Sequence, residues 1–184
     1  MDFIETPIKG LIVLTPRVFN DNRGYFFESY NKNAIREAGI ENVFVQDNES
    51  CSCYGTIRGL HFQKPPFMQA KLVRVVQGTV FDVAVDLRPD SPTFGKWHGV
   101  ILSGENKKQF FMPRGFAHGF SVLSETALFA YKCDNVYDKA SEGAICLYDK
   151  DLNIDWQIPA DKAVLSEKDK NNPSFAEYCK NKVF

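Results

Sequence analysis

Short runs of β-branched and aromatic residues, cut at close intervals by Gly, Pro, Asn, Asp and Ser, fill most of this chain. Leu11–Leu14, Gly24–Tyr30, Val43–Gln46, Lys71–Gln77, Thr79–Leu87, Trp97–Leu102, Gln109–Met112, Phe120–Leu123 and Thr126–Cys133 all read this way. Such runs favour a pleated, partly buried surface over a helix. Many short strands spaced by turns imply a β-sandwich or barrel, a class that includes the jelly roll. Asn31–Ala38 is the helix expected in the first half, with Asn31 or Asn33 to cap it and Gly39 to stop it. A second short helix is expected near Asp161–Asp169 or after Pro173. No repeat and no linker interrupts the pattern, so residues 1–184 are expected to form a single domain.

Composition narrows the class. With 184 residues and 44% apolar side chains, the chain can bury a real core. A net charge of −1 without long blocks of like charge gives no footprint for nucleic acid. No apolar run approaches the ~20 residues of a membrane span, and the first residues, Met-Asp-Phe-Ile-Glu, do not read as a signal peptide. Cys51, Cys53, Cys133, Cys146 and Cys179 are odd in number and form no CxxC pair. They read as free thiols of a cytoplasmic protein. Cys51 and Cys53 would make half a zinc site, but no second pair follows at ligand spacing.

Strand parity sorts some faces. In Thr79–Leu87, Phe81, Val83, Val85 and Leu87 share one face and are expected in the core. Val80, Asp82, Ala84 and Asp86 share the other, with the acids facing either solvent or a pocket. Lys71 falls on the same face as Val73 and Val75. A lysine so placed either snorkels to the rim, the commoner case, or serves a pocket.

Two glycine-punctuated segments carry histidines: Gly55-Thr-Ile-Arg-Gly-Leu-His-Phe-Gln63 and Pro113-Arg-Gly-Phe-Ala-His-Gly-Phe120. They resemble the two halves of a cupin barrel motif. The first half lacks the His-x-His pair of a metal-binding cupin, since Gln63 stands at the second position. Only His61 and His118 occupy motif positions, which is short of the usual three protein ligands, so a pocket without metal is expected. His61 shares parity with Gly59 and Gln63, leaving Leu60 and Phe62 to pack on the other side. Arg58 precedes it and Lys71 follows a strand later, cations suited to an anionic ligand. The third histidine, His98, reads as a surface or packing residue. Tyr131 shares a face with Phe129 and reads either as a packed aromatic or as a proton donor. Asp169 sits in a charged cluster that reads as solvated by spacing alone; folded back onto His61, it would fix the imidazole tautomer. No GxGxxG, P-loop or GxSxG motif is present, so proton transfer without a cofactor is the chemistry left.

Taken together the motifs resemble the dTDP-4-dehydrorhamnose 3,5-epimerase family. The matching stretches are Asp21–Tyr30, Phe44–Asn48, Gly55–Gln63, Ala70–Val76, Asp82–Arg88, Ser91–Gly95, Leu102–Asn106, Pro113–Phe120, Tyr131-Lys132, Ser141–Gly143, Ile154–Trp156 and Leu165–Asp169. The resemblance implies an all-β, cupin-type double-stranded β-helix with a few short helices, a homodimer and no cofactor. It implies epimerisation of a dTDP-4-keto-6-deoxysugar at C3 and C5; relatives that invert one carbon, or act on related 4-keto sugars, are the alternative. It implies His61 as base, Asp169 as its partner and Tyr131 as acid, with Lys71 near the developing oxyanion. It places Arg58 and Arg23 on the diphosphate, the latter from the same or the partner subunit. Tyr137 is expected to stack on thymine and Phe26 to contact the nucleotide, while Glu28, Gln46, Asp47, Asn48, His118, Glu142 and Lys168 line the ligand site. One stretch departs from the family pattern: Leu147 and Tyr148 stand where Trp and Asn are usual, which means either neutral repacking or an altered pocket wall.

Overall fold

The computed structural model describes residues 1–184. Thirteen strands and two short α-helices follow in the order β1 (Asp2–Glu5), β2 (Ile12–Thr15), β3 (Phe19–Asp21), β4 (Gly24–Phe26), α1 (Lys32–Arg36), β5 (Gln46–Cys53), β6 (Ile57–Gln63), β7 (Lys71–Gln77), β8 (Thr79–Asp86), β9 (Trp97–Ser103), β10 (Gln109–Met112), β11 (Phe116–Val122), β12 (Thr126–Cys133), β13 (Glu142–Ala144) and α2 (Phe175–Lys180). Two antiparallel sheets hold most of them. One runs β1-β2-β10-β7-β12-β5 and the other β13-β6-β11-β8-β9, while β3 and β4 form a separate hairpin. Few neighbours are consecutive in sequence, because the chain crosses repeatedly from sheet to sheet.

Three apolar layers follow from this arrangement. Between the sheets lie Val73, Val75, Val80, Ala84, Leu102, Phe110, Met112, Phe116, Phe120, Val122 and Phe129. The outer face of the five-stranded sheet, with Ile57, Leu60, Phe62, Phe81, Val83, Val85 and Leu87, is covered by Ile145, Leu147, Leu152, Ile154, Trp156 and Tyr178 from the C-terminal third. The outer face of the six-stranded sheet meets Ile35 of α1 and, just beyond the helix, Ala38 and Ile40. Strand β8 therefore has no solvent face. Asp82 and Asp86, which parity left between solvent and a pocket, are both fully buried. Asp86 is held by Arg88, Ser91 and Thr93 in the following turn at 2.6–2.8 Å.

Local signals explain most ends. The Asn31 side chain caps α1 by accepting from the amides of Asn33 and Ala34, and Gly39 beyond it takes φ +77°. The second helix begins after Pro173, where Ser174 and Glu177 form a reciprocal capping box. The Asp161–Asp169 stretch holds only one-turn 3₁₀ segments at its ends. Several expected strands shift. Residues 43–45 are not a strand; the strand starts at Gln46 and runs through the polar sequence Asp-Asn-Glu-Ser-Cys-Ser-Cys to Cys53. Pairing along the whole length of β12 overrides the weak propensity of those residues. Gly24–Tyr30 forms a strand only to Phe26. The expected Phe120–Leu123 strand begins four residues earlier, at Phe116, and ends at Val122.

Candidate active site

Gly59 sets the geometry of β6. It adopts φ +143°, and a Cβ there would lie 2.6 Å from the Cα of Gly119 on the neighbouring strand. The β6–β11 register shifts at this point, between His118 and Phe120. Leu60 and Phe62 still pack outward, as parity predicts, and His61 points into the barrel. Arg58 joins it on the pocket side although the residue count puts the two on opposite faces.

Two clefts open between the sheets. The first, about 460 Å³, is walled by Arg58, His61, Lys71, His118, Phe120, Phe129, Tyr131, Lys168 and Asp169, among others. The second, about 400 Å³, is walled by Gln46, Asn48, Gln63, Gln69, Tyr137 and Glu142, and it too contains His61, Lys71 and Tyr131. These last three residues therefore stand where the clefts meet. His61 comes from the five-stranded sheet, and Lys71 and Tyr131 from the six-stranded sheet, so the junction is flanked by both walls of the barrel.

The His61 Nε2 lies 2.6 Å from Asp169 Oδ1. Asp169 is 5% exposed and His61 32%. Burial alone would raise the Asp169 carboxyl, but its bond to His61, with a further donor from Asn172, holds it below the usual carboxylate value. An ionised carboxylate only accepts, so Nε2 carries a proton, and in the neutral imidazole the lone pair is on Nδ1. The charged cluster around Asp169 is not wholly solvated: this carboxylate has folded back 108 residues along the chain to the imidazole.

Lys71 serves the pocket rather than snorkelling. Its Nζ lies 5.7 Å from the centre of the Tyr131 ring. Burial lowers its pKa, opposed by the negative groups around it, including Asp82 and Glu142. Burial likewise pushes the Tyr131 phenol up. His118 Nε2 meets Asp82 Oδ2 at 2.9 Å, and its ring stacks on Phe129. Burial lowers the His118 imidazole and raises the Asp82 carboxyl despite this contact. Asp82 Oδ1 has no hydrogen-bond partner. Arg58 donates from Nε to Ser52 Oγ at 3.2 Å.

In the second cleft, Gln46 donates to Asn48 and accepts from the Tyr137 amide. Glu142 contacts both the Tyr137 hydroxyl and the Lys168 ammonium. Gln63, at the position of a second cupin histidine, has a different task. Its amide donates to the carbonyls of Phe67 and Val136 at 2.7 and 3.1 Å and accepts from the Asp138 amide at 2.7 Å. It thereby fastens the two loops that frame Tyr137. No group of three His, Cys, Asp or Glu side chains converges anywhere at metal-binding spacing.

Four expected ligand contacts lie elsewhere within the chain. Asp47 faces out of the barrel, paired with Lys132 at 2.8 Å, because alternate residues of β5 face opposite ways. Arg23 and Phe26 ride on the β3–β4 hairpin, 85% and 66% exposed, and Arg23 is paired with Asp21. Glu28 accepts from Asn31 beside α1. His98 is a half-buried packing residue, its ring 6.2 Å from that of Phe110. Leu147 is not part of a pocket wall. It is buried in the outer apolar layer, its carbonyl accepts from the Trp156 indole, and Tyr148 faces solvent. Ser52 and Asn172 were not among the expected site residues, and for Asp82 a pocket was one of two alternatives. The interior parity of Asp82 with Val80 and Ala84 was the one signal available for it.

Two facing antiparallel sheets with imidazole, ammonium and phenol groups meeting between them define a cupin-type protein whose pocket is equipped to move protons. Residues 5–177 match the sequence pattern of the family described as dTDP-4-dehydrorhamnose 3,5-epimerase. The enzyme of that name from Shigella flexneri is 52% identical over 178 residues, 96% of this chain and 97% of that protein. The crystal structure of the dTDP-4-dehydrorhamnose 3,5-epimerase from Elizabethkingia anophelis superposes with a TM-score of 0.92 at 55% identity, covering 100% of this chain and 99% of the other. The Legionella pneumophila dTDP-6-deoxy-D-glucose-3,5-epimerase, crystallised with dTDP-4-keto-L-rhamnose, gives 0.90 at 50% identity over 94% and 92% of the two chains. This chain belongs to the dTDP-4-dehydrorhamnose 3,5-epimerase family.

Proposed function

We propose that this protein epimerises C3 and C5 of dTDP-4-dehydro-6-deoxy-D-glucose to give dTDP-4-dehydro-L-rhamnose, a step toward dTDP-L-rhamnose. The 4-keto group acidifies the hydrogens on both neighbouring carbons. His61 Nδ1 removes one as a proton, leaving an enolate whose oxygen is met by the Lys71 ammonium. Tyr131 returns a proton on the opposite face of the ring, and the centre inverts. Exchange with solvent removes the proton from His61 and restores the one on Tyr131, and the second carbon then follows in the same way. Protons alone move, so the reaction needs no redox or group-transfer cofactor.

The observation that carries this reading is the position of His61 and Tyr131 on opposite sheets at the junction of the two clefts. Inversion requires an acid and a base on opposite sides of one carbon, and the carboxylate on His61 favours the tautomer a base needs. The first cleft takes the sugar, with His118 on its wall, and Arg58 takes the diphosphate through its forked donors. The second cleft takes thymidine, stacked on Tyr137, with Gln46, Asn48, Glu142 and Lys168 around it. A homodimer brings Arg23, Phe26 and Glu28 of one subunit to the nucleotide of the other, which accounts for an exposed hairpin that carries ligand-binding residues. Asp47, facing out of the barrel, joins them at that contact between subunits. One cytoplasmic domain, residues 1–184, holds all of these groups.

Proton NMR of the dTDP-4-keto-6-deoxy-D-glucose substrate with the protein in heavy water tests the reading. Loss of signal at both C3 and C5, abolished by His61→Asn with the fold intact, is expected. Exchange at one carbon only would make this a single-site epimerase. Normal turnover by His61→Asn would remove His61 as the base.

A further inference from the structure

Glu142 opens β13 opposite Gln63, two residues before Ala144, which pairs with His61. Its carboxylate is divided between two partners. Oε2 accepts from the Tyr137 hydroxyl at 3.3 Å, and Oε1 takes the Lys168 ammonium. Lys168 is joined by one peptide bond to Asp169, the residue that holds His61. The Lys168 carbonyl also accepts from the Asn171 amide, closing the short turn that presents Asp169. An unbroken series of contacts thus runs Tyr137–Glu142–Lys168–Asp169–His61, from the exposed aromatic wall of the second cleft to the imidazole at the junction.

The strengths of these links differ in an informative way. The Tyr137 hydroxyl bond is long, and its ring is more than half exposed, so the ring is free to adjust. The His61–Asp169 contact is short and its carboxylate is buried. Between them, burial would raise the Glu142 carboxyl, but the Lys168 bond and charge outweigh it and keep the group ionised. Lys168 and Glu142 are partly exposed, so their pairing adds little to stability. Its consequence is geometric: one carboxylate cannot rotate toward Tyr137 without moving against Lys168.

We propose that Glu142 is a positioning residue that couples occupancy of the aromatic seat at Tyr137 to the orientation of His61, acting through Lys168 and Asp169. The proposal rests on the reading of the second cleft as the nucleoside site. An aromatic base stacked on Tyr137 fixes that ring, the ring fixes the Glu142 carboxylate, and the turn bearing Asp169 settles with it. The base then reaches its working orientation when a nucleotide is present.

Glu142→Gln keeps a polar group against Tyr137 and removes the charge from Lys168; Lys168→Met cuts the same link from the other side. Each is expected to lower kcat for hydrogen exchange by about tenfold to a hundredfold, the range expected for misplacement of about 1 Å. The double variant should lose no more than either alone, as residues in one network do. The second readout needs no turnover. In protein labelled with ¹⁵N at histidine, dTDP titrated into the wild type should move the His61 ring signals, and dTDP bound at saturation to Lys168→Met should leave them in place. Equal movement in both would overturn the coupling. So would a rise in KM with kcat intact, which would make Glu142 a direct ligand contact only. Failure of dTDP to bind the wild type would instead overturn the nucleoside reading of the cleft.

Discussion

Replacing Asp169 with Asn isolates what the carboxylate does for His61. The change is nearly isosteric in a site only 5% exposed, and it leaves the turn that carries the residue intact. If the new amide presents its oxygen to Nε2, a charged hydrogen bond becomes a neutral one. Charged bonds contribute about 1.5–3 kcal/mol and neutral ones about 0.5–1.5, so about 1–1.5 kcal/mol is lost. At about 1.4 kcal/mol per factor of ten, that sets a floor near tenfold in kcat. If the amide presents its NH₂ instead, Nε2 must hold the lone pair and Nδ1 the proton. Nδ1, the base of the proposed reaction, then ceases to be one, and a wrong tautomer of this kind costs about 10⁴ in kcat in a serine-protease triad. The expected loss therefore lies between about 10 and 10⁴. Stability should change by about 1–1.5 kcal/mol, or a few degrees in Tm for a chain of this length. The assay is the rate of deuterium uptake at C3 and C5 of saturating keto sugar, followed by NMR beside a thermal melt. Wild-type kcat in an Asp169→Asn protein would refute the reasoning, because no second acceptor lies on the His61 Nε2.

Other expectations concern pH, stability and the substituted strand. Burial lowers the Lys71 ammonium and raises the Tyr131 phenol, so the alkaline fall in activity should follow loss of the lysine proton, below the ordinary lysine value; Lys71→Arg should move that limb upward in a kcat–pH profile, and an unmoved limb would count against the role of Lys71. Burial would raise the Asp86 carboxyl, but Arg88, Ser91 and Thr93 outweigh it and hold it below 3.8, so its contribution is complete above that value and is lost as pH falls through the lower folded value. Asp86→Asn should cost about 2–3 kcal/mol, a Tm drop of about 4–12 °C at neutral pH, and should weaken the acid dependence of the melt. Leu147→Trp should overpack the outer apolar layer by about 1–3 kcal/mol without changing product stereochemistry, measured by denaturant unfolding and by NMR of the product.

The sequence was most legible where one side chain decides one local structure. Asn31 at the helix start, Ser174 after Pro173, and the alternation of Leu60, His61 and Phe62 all act within a few residues. Parity failed to place the acids of β8, because alternation separates two faces without saying what covers each; Leu147, Ile154 and Trp156 arrive from far along the chain. The polar run Gln46–Cys53 gave no propensity signal and is a strand because β12 pairs along it. Arg58 reached the pocket through a register shift that counting residues cannot reveal. The His61–Asp169 contact spans 108 residues, and only family resemblance pointed to it. Nothing local marked Asp82 as the partner of His118.

Because His61 stands on one sheet and Tyr131 on the other, no loop or helix spans the distance between them. That distance is the thickness of the barrel at this level. The spacer is the apolar interior beside the clefts, where Phe120 of one sheet stacks on Phe129 of the other with ring centres 4.3 Å apart. In the proposed reaction, reach across the sugar ring is in that sense a filling problem. A methyl group added or removed in this layer would change the gap between the two walls, and with it the separation of His61 and Tyr131.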